Sequence, residues 1–192
     1  RSAIAALFMW AVLRRPHFTW SRTQVAGALA YGVTVLLYVS AVKLTTAANA
    51  ILLQYTAPIY IALFGAFFLH ERATWIDWLS IVVTLCGMAL FFREGLASKN
   101  LVGDLLALAS GLTFAFMNML LRRQKAGSPL ESVLLGNALA AVIGLPFLSR
   151  GLPSLQGWGS LLLLGVFQLG LSYVLYSQAI KHVTAMEGVL FS

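Results

Sequence analysis

Tyr31, Thr34 and Tyr38 fall at i, i+3 and i+7 of one apolar run, and Gln168, Ser172 and Tyr176 at i, i+4 and i+8 of another. On helices, each spacing gathers its hydroxyl and amide groups on one face. Such a stripe can line a polar path and bind a small solute through hydrogen bonds. It can equally fasten packed helices together, at about 1 kcal/mol or less per bond. A different signal is Pro58, in mid-run after Gln54, Tyr55 and Thr56. Within a helix, Pro offers no amide to the carbonyl four residues back, here that of Gln54. In lipid a freed acceptor needs a partner or a cavity. The segment therefore reads as a kink that lines and flexes around a path, or as one patched by the Thr56 hydroxyl or a neighbouring helix.

Charged groups inside apolar helices are functional candidates by default, and Glu187 is the acid so placed. As a proton- or substrate-coupling group it competes with a plainer role, because Thr184-Ala185-Met186-Glu187 spells a capping box. Thr46-Ala47-Ala48-Asn49 spells a similar, uncharged cap, and Asn49 joins the candidate set. Arg1 stands about 18 Å from the end of its helix at 1.5 Å per residue, so it too reads as embedded. Glu71 reads as a helix-end contact. Asn118 and Asn137 are polar groups whose role does not separate from bonding between helices. Enzyme chemistry has little to work with: His70-Glu71-Arg72-Ala73-Thr74 lacks the second His of a zinc-protease helix, and no nucleophile elbow, phosphate loop or dinucleotide fingerprint occurs. No metal or cofactor is expected.

The elements that position these groups follow from composition. Of 192 residues 60% are hydrophobic and only 10% charged, and mean hydropathy is +0.86, whereas soluble domains carry about a quarter charged residues. A water-facing surface cannot be built from so few charges. The net charge of +7 resides in single or clustered Lys and Arg between apolar runs, which decorates loops and does not make a nucleic-acid groove. Cys86 lies within an apolar run and has no partner for an intrachain disulfide.

Spanning helices need about twenty mainly apolar residues. Such runs lie at Thr23 to Val42, Thr46 to Leu69, Trp75 to Phe92, Leu101 to Leu121, Glu131 to Ser149 and Gly157 to Ile180, with partial ones ending near Leu13 and starting near Thr184. Turn chemistry marks the joints at Arg14-Arg15-Pro16, Lys43-Leu44-Thr45, His70-Glu71-Arg72, Glu94-Gly95, Gly127-Ser128-Pro129 and Gly151-Leu152-Pro153. The expectation is an all-α polytopic membrane protein, since helices satisfy their own backbone in lipid. Arg14, Arg15, Arg22, Arg72, Arg122, Arg123, Lys125 and Lys181 occupy alternate loops, which places those loops in the cytoplasm; Lys43, Arg93, Lys99 and Arg150 take the other side. Every-fourth-residue ladders at Ala107, Gly111 and Ala115, and at Gly136, Ala140 and Gly144, read as packing faces.

The chain also repeats itself. At an offset of 138, Leu37 to Ala47 aligns with Leu175 to Ala185 at six identical positions of eleven, and Gly27, Gly32 and Thr34 meet Gly165, Gly170 and Ser172. The equivalent helices are five spans apart, and an odd separation turns the second copy upside down. Inverted repeats recur in secondary transporters, with the substrate site near the midplane between them. The two polar stripes should then meet across the pseudo-symmetric centre.

The stretch Ala48-Asn49-Ala50-Ile51-Leu52-Leu53-Gln54-Tyr55-Thr56-Ala57-Pro58, with Leu69-His70-Glu71-Arg72, Gly87-Met88-Ala89-Leu90 and Gly103-Asp104, resembles the EamA-like family of the drug/metabolite transporter superfamily. The resemblance implies a ten-helix fold of two inverted five-helix repeats. Residues 1–99 would be helices 2–5 of the first repeat and 100–192 helices 6–9 of the second, both incomplete. It further implies multi-pass residence in a bacterial inner membrane and secondary active export of small metabolites or drugs by alternating access. Proton antiport and substrate exchange are both open as coupling modes, as are the substrate and the oligomeric state. A channel-like or structural membrane subunit is the alternative. Beyond a small-molecule substrate and lipid, no partner is implied. The repeat makes a direct prediction: the sequence following Ser192 should carry Pro at the fourth residue and Glu at the seventeenth, the mates of Pro58 and Glu71. Reading that sequence checks it, and absence of both would remove the repeat.

Overall fold

The computed structural model describes residues 1–91, 100–127, 129–146 and 154–190. All regular structure among them is helical. In chain order, α1 is Ser2–Leu13, α2 Arg22–Leu44, α3 Ala47–Gln54, α4 Ala57–Phe68, α5 Trp75–Phe91, α6 Leu101–Arg123 and α7 Pro129–Gly144. Then α8 (Leu155–Leu163) runs without interruption into a π-helical segment (Leu164–Leu171) and α9 (Ser172–Ala179), and α10 is Ala185–Leu190. Four segments are long and apolar enough to cross a membrane: Arg22–Leu44, Ala47–Phe68, Leu101–Arg123 and Leu155–Ala179. α1, α5 and α7 are apolar but shorter. The expected span ends at Phe92 and Ser149 lie outside the described residues. So do Arg93, Glu94-Gly95, Lys99, Ser128, Arg150, Gly151-Leu152-Pro153 and Ser192.

Local chemistry sets the helix starts. Ser21 Oγ accepts the Gln24 amide at 3.2 Å, Asn100 Oδ1 the Val102 amide at 2.9 Å, and Ser154 Oγ the Gly157 amide at 3.1 Å. Each satisfies one amide that the first turn leaves open, at about 1 kcal/mol per cap. Pro129, expected within a turn, instead opens α7, where the first-turn position has no use for its missing amide. Large apolar side chains such as Leu7, Phe67, Val83, Leu105 and Phe167 point outward, as lipid requires and water would not reward.

α6 is the central post, packed against α2, α3, α4, α7 and α10. Small residues permit this closeness. A Cβ added at Gly103 would stand 2.8 Å from the Thr45 amide nitrogen, and one at Gly111 would stand 2.9 Å from the Gln54 carbonyl oxygen. The ladder Ala107, Gly111 and Ala115 is a packing face throughout, whereas in the second Gly136 sits at a tight contact and Gly144 has open space around it.

The inversion is visible in which ends meet. The C-terminal end of α6 receives the start of α2, where Gln124 Nε2 donates to the Thr23 carbonyl at 3.1 Å. It also receives the end of α9, where Arg122 Nη1 donates to the Ile180 carbonyl. Thus α2 leaves that end while its sequence mate arrives there, and the two run antiparallel. Equivalent glycines both sit at close helix contacts: Gly32 of α2 abuts Leu139 of α7, and its mate Gly170 abuts Phe8 of α1.

At Gly136 an added Cβ would meet Tyr31 Cβ at 2.7 Å and the Ala28 carbonyl at 2.8 Å, contacts that only a shift of α2 could relieve. Gly136→Ala should cost about 1–3 kcal/mol, as overpacking does. Gly144→Ala, with nothing within 4 Å, should be neutral or stabilise by up to about 1 kcal/mol. Thermal unfolding of the purified protein in detergent distinguishes the two.

Candidate functional site

The run Thr46 to Leu69, expected to be one span kinked at Pro58, is a single apolar span, Ala47–Phe68, interrupted by a two-residue turn between α3 and α4. α3 stops at Gln54, Tyr55 and Thr56 form a turn, and Pro58 sits at the start of α4. The Thr56 hydroxyl donates to the Leu53 carbonyl at 2.6 Å, so the patch foreseen for the kink exists, though on the neighbour of the carbonyl that Pro58 frees. The Gln54 carbonyl itself lies against Gly111 of α6, whose missing side chain lets the broken backbone approach. The symmetry-mate span is irregular as well. Through its π segment the Ser172 hydroxyl donates to the Phe167 carbonyl five residues back, at 3.0 Å, the spacing of a π-helix and a feature frequent at functional sites.

These two irregular spans and α2 enclose a cavity of about 640 Å³, within the range of small-molecule pockets. Of the eleven sequence candidates, Tyr31, Thr34, Tyr38, Gln54, Tyr55, Pro58, Gln168, Ser172 and Tyr176 line it. The two stripes thus face one space, and aromatic contacts join them: Tyr31 and Tyr173 meet edge to face with ring centres 5.3 Å apart, and Tyr173 meets Tyr176 at 6.2 Å.

The remaining two candidates are elsewhere. Asn49 Nδ2 lies 3.4 Å from Thr45 Oγ1 and 3.5 Å from Asp104 Oδ1, near the start of α6, and its amide is capped by Thr46 Oγ1 at 3.1 Å. Glu187 closes the capping box: its carboxylate accepts the Thr184 amide at 2.8 Å, and the Thr184 hydroxyl accepts the Glu187 amide at 3.2 Å. Glu187 is held at the start of α10 by its own cap and Asn49 lies against Thr45 and Asp104, and neither lines the cavity. The two caps are themselves sequence mates.

Within the wall, roles divide. The Thr34 hydroxyl is 2.7 Å from the Ala30 carbonyl and 2.9 Å from Thr113 Oγ1, so it bonds helix to helix. Tyr176 donates to Asn118 Oδ1, while Asn118 Nδ2 donates to the Phe114 carbonyl at 2.8 Å. Arg1 Nη1 donates to Gln168 Oε1 at 3.4 Å. By contrast the Tyr31 hydroxyl, with Tyr31 itself only 2% exposed, makes no well-formed hydrogen bond, and the Asn137 side chain is the polar group beside it. Sequence reasoning missed Phe114, Thr113 and Tyr173. Tyr173 lies three residues before Tyr176 in the regular helix α9 and so shares its face, a spacing the sequence already carried.

At one end of the cavity the halves are tied. Glu71 Oε1 accepts Arg122 Nε at 2.9 Å, and Glu71 Oε2 accepts the Ala185 amide at 2.9 Å. The pair is about a tenth exposed at Arg122 and a quarter at Glu71, so solvent screens it only partly.

Because the Tyr31 hydroxyl has only a poorly formed contact with the Asn137 side chain to lose, Tyr31→Phe should change the melting temperature less than loss of a well-formed bond does. Tyr176→Phe removes the donor to Asn118 and should cost about 1 kcal/mol. Melting curves in detergent, beside flux of each variant, check this; flux lost in Tyr31→Phe with stability intact would mark its hydroxyl as a solute contact.

Known proteins bear on the cavity's use. The sequence profile of the EamA-like transporter family matches residues 1–93 and 101–192. The chain is similar to the pseudopaline exporter CntI of Pseudomonas aeruginosa, 29% identical over 208 residues that take in 100% of this chain and 72% of that protein. It is similar as well to the uncharacterized transporter YxxF of Bacillus subtilis, 26% identical over 177 residues, 86% of this chain and 57% of that one. A crystal structure at 23% identity superimposes with a TM-score of 0.79, covering 98% of this chain and 70% of its own, and so shares the fold. With its apolar spans and a family match over both halves, this chain is an integral membrane protein and a member of the EamA-like transporter family.

Proposed function

We propose that this protein is a secondary active transporter that exports a small metabolite or drug by alternating access, with two inverted repeats, 1–99 and 100–192, rocking around the central cavity. The observation that carries the reading is the convergence of Tyr31, Thr34 and Tyr38 from one repeat and Gln168, Ser172 and Tyr176 from the other on one cavity. Irregular backbone in a membrane is tolerated where it lines such a space, and here the break at Tyr55 and Thr56 and the π segment both border it. These two places can change backbone angles without sacrificing a full helical ladder, which suits them as hinges. Export is supported by the similarity to a protein named as an exporter. Of the two coupling modes, exchange and proton antiport, antiport through Glu187 has weak support because its carboxylate caps α10.

Reconstitution of the intact protein in proteoliposomes tests the reading. Saturable counterflow of a candidate metabolite is expected, with uphill movement under a substrate or pH gradient; flux that never saturates and never runs uphill would mark a channel. Tyr38→Ala and Tyr176→Ala should reduce flux at least about tenfold while membrane insertion falls far less, and equal loss of insertion and flux would reduce both tyrosines to packing residues.

A further inference from the structure

We infer that the transported solute is an organic anion, a carboxylate on an aromatic or apolar body, and that the Arg1 guanidinium receives its carboxylate. The inference rests on the transporter reading and names the substrate class of the same cavity. Arg1 is the one charged side chain among the described cavity-lining residues. Its recorded partner is neutral, the Gln168 side-chain oxygen at 3.4 Å on the other repeat.

The described carboxylates are all engaged or placed elsewhere. Glu71 holds Arg122 and the Ala185 amide, and Asp77 accepts from Thr74. Asp104 accepts from Thr45, Glu187 accepts from Thr184, and Glu131, in the first turn of α7, is not among the lining residues. The single salt bridge among the described residues is Glu71–Arg122. A cation within a membrane bundle persists where it faces a water-filled space or an anion, and this one faces the cavity.

The rest of the wall selects among ligands. Tyr31, Tyr38, Tyr55, Tyr173, Tyr176 and Phe114 present aromatic surface, which would also suit a cation over the ring faces. The fixed charge of Arg1 weighs against a cation, because no carboxylate among the described lining residues offsets it. One guanidinium matches one carboxylate, through two parallel hydrogen bonds; a phosphate dianion would leave charge uncompensated. The aromatic surface then takes the apolar body.

The test uses the intact protein with three matched probes: N-acetylphenylalanine, its neutral amide N-acetylphenylalaninamide, and phenyl phosphate. Binding is read by calorimetry in detergent and counterflow in proteoliposomes, for wild type, Arg1→Gln and Arg1→Lys, with melting temperature as the check on folding. The carboxylate should bind at least about tenfold more tightly than the amide, as a charge-assisted pair implies. Arg1→Gln should abolish that preference and Arg1→Lys should keep part of it. An unchanged preference in a folded Arg1→Gln, an amide equal to or better than the acid, or tighter binding of phenyl phosphate would each overturn the inference. If the amide shows saturable counterflow and the acid none, or if none of the three probes does while a candidate metabolite of another class does, the anion assignment falls and the transporter stands; the transporter reading falls with it only if no solute tested shows saturable flux.

Discussion

Arg122 is the residue on which the two halves close. Its guanidinium donates to Glu71, between α4 and α5, and to the Ile180 carbonyl at the end of α9, while the second Glu71 oxygen takes the amide that opens α10. Four segments from both halves thus meet through one carboxylate and one guanidinium. The bonds satisfy backbone groups that helix ends leave open, so the cluster is a cap for two helices as well as an ion pair. Ala179, Val183 and Gly188, which border this cluster in sequence, are part of the cavity wall, and the shape of that wall follows from where the cluster holds them.

α6 carries the other constraint. It is regular from Leu101 to Arg123, and the irregular spans are fitted around it. The broken span reaches it because Gly111 presents no side chain to the Gln54 carbonyl. α9 reaches it through the Tyr176–Asn118 hydrogen bond. A straight, well-bonded post beside two spans with disturbed ladders concentrates backbone freedom at the cavity, where movement would be useful, and spares the outer faces that meet lipid.

The cavity itself mixes settled and unsettled groups. Thr34 and Ser172 have found protein partners, which makes them fasteners as much as lining. The Tyr31 hydroxyl and Asn137 Oδ1 on α7 lack well-formed bonds, and these two side chains are polar neighbours of each other. Unsatisfied buried groups are few in native structures and cluster where function needs them. Gly188 packs close to the Tyr176 hydroxyl, so the start of α10 and the stripe on α9 are adjusted to each other.

Much was legible in the residues themselves. Apolar run length fixed the membrane class and most helix positions, because hydrocarbon demands a span of given length and a self-satisfied backbone. The 138-residue offset exposed the inverted repeat, since Tyr38 and Tyr176 sit at matching heights in helices of opposite direction. The caps at Thr46 and Thr184 were readable for the same reason that any cap is: the bonds span three residues. Tertiary structure alone decided the rest. It set a two-residue turn at Tyr55 and Thr56 in the Pro58 span and laid the Gln54 carbonyl against Gly111 across the interface. It wound Leu164–Leu171 as a π-helix, which no sequence signal announced. It separated Asn49 and Glu187 from the cavity, and joined Arg122 to Glu71 across 51 positions of sequence. Local bonds are written in local sequence, whereas a cavity is made by residues far apart in the chain, whose meeting depends on how closely the helices pack.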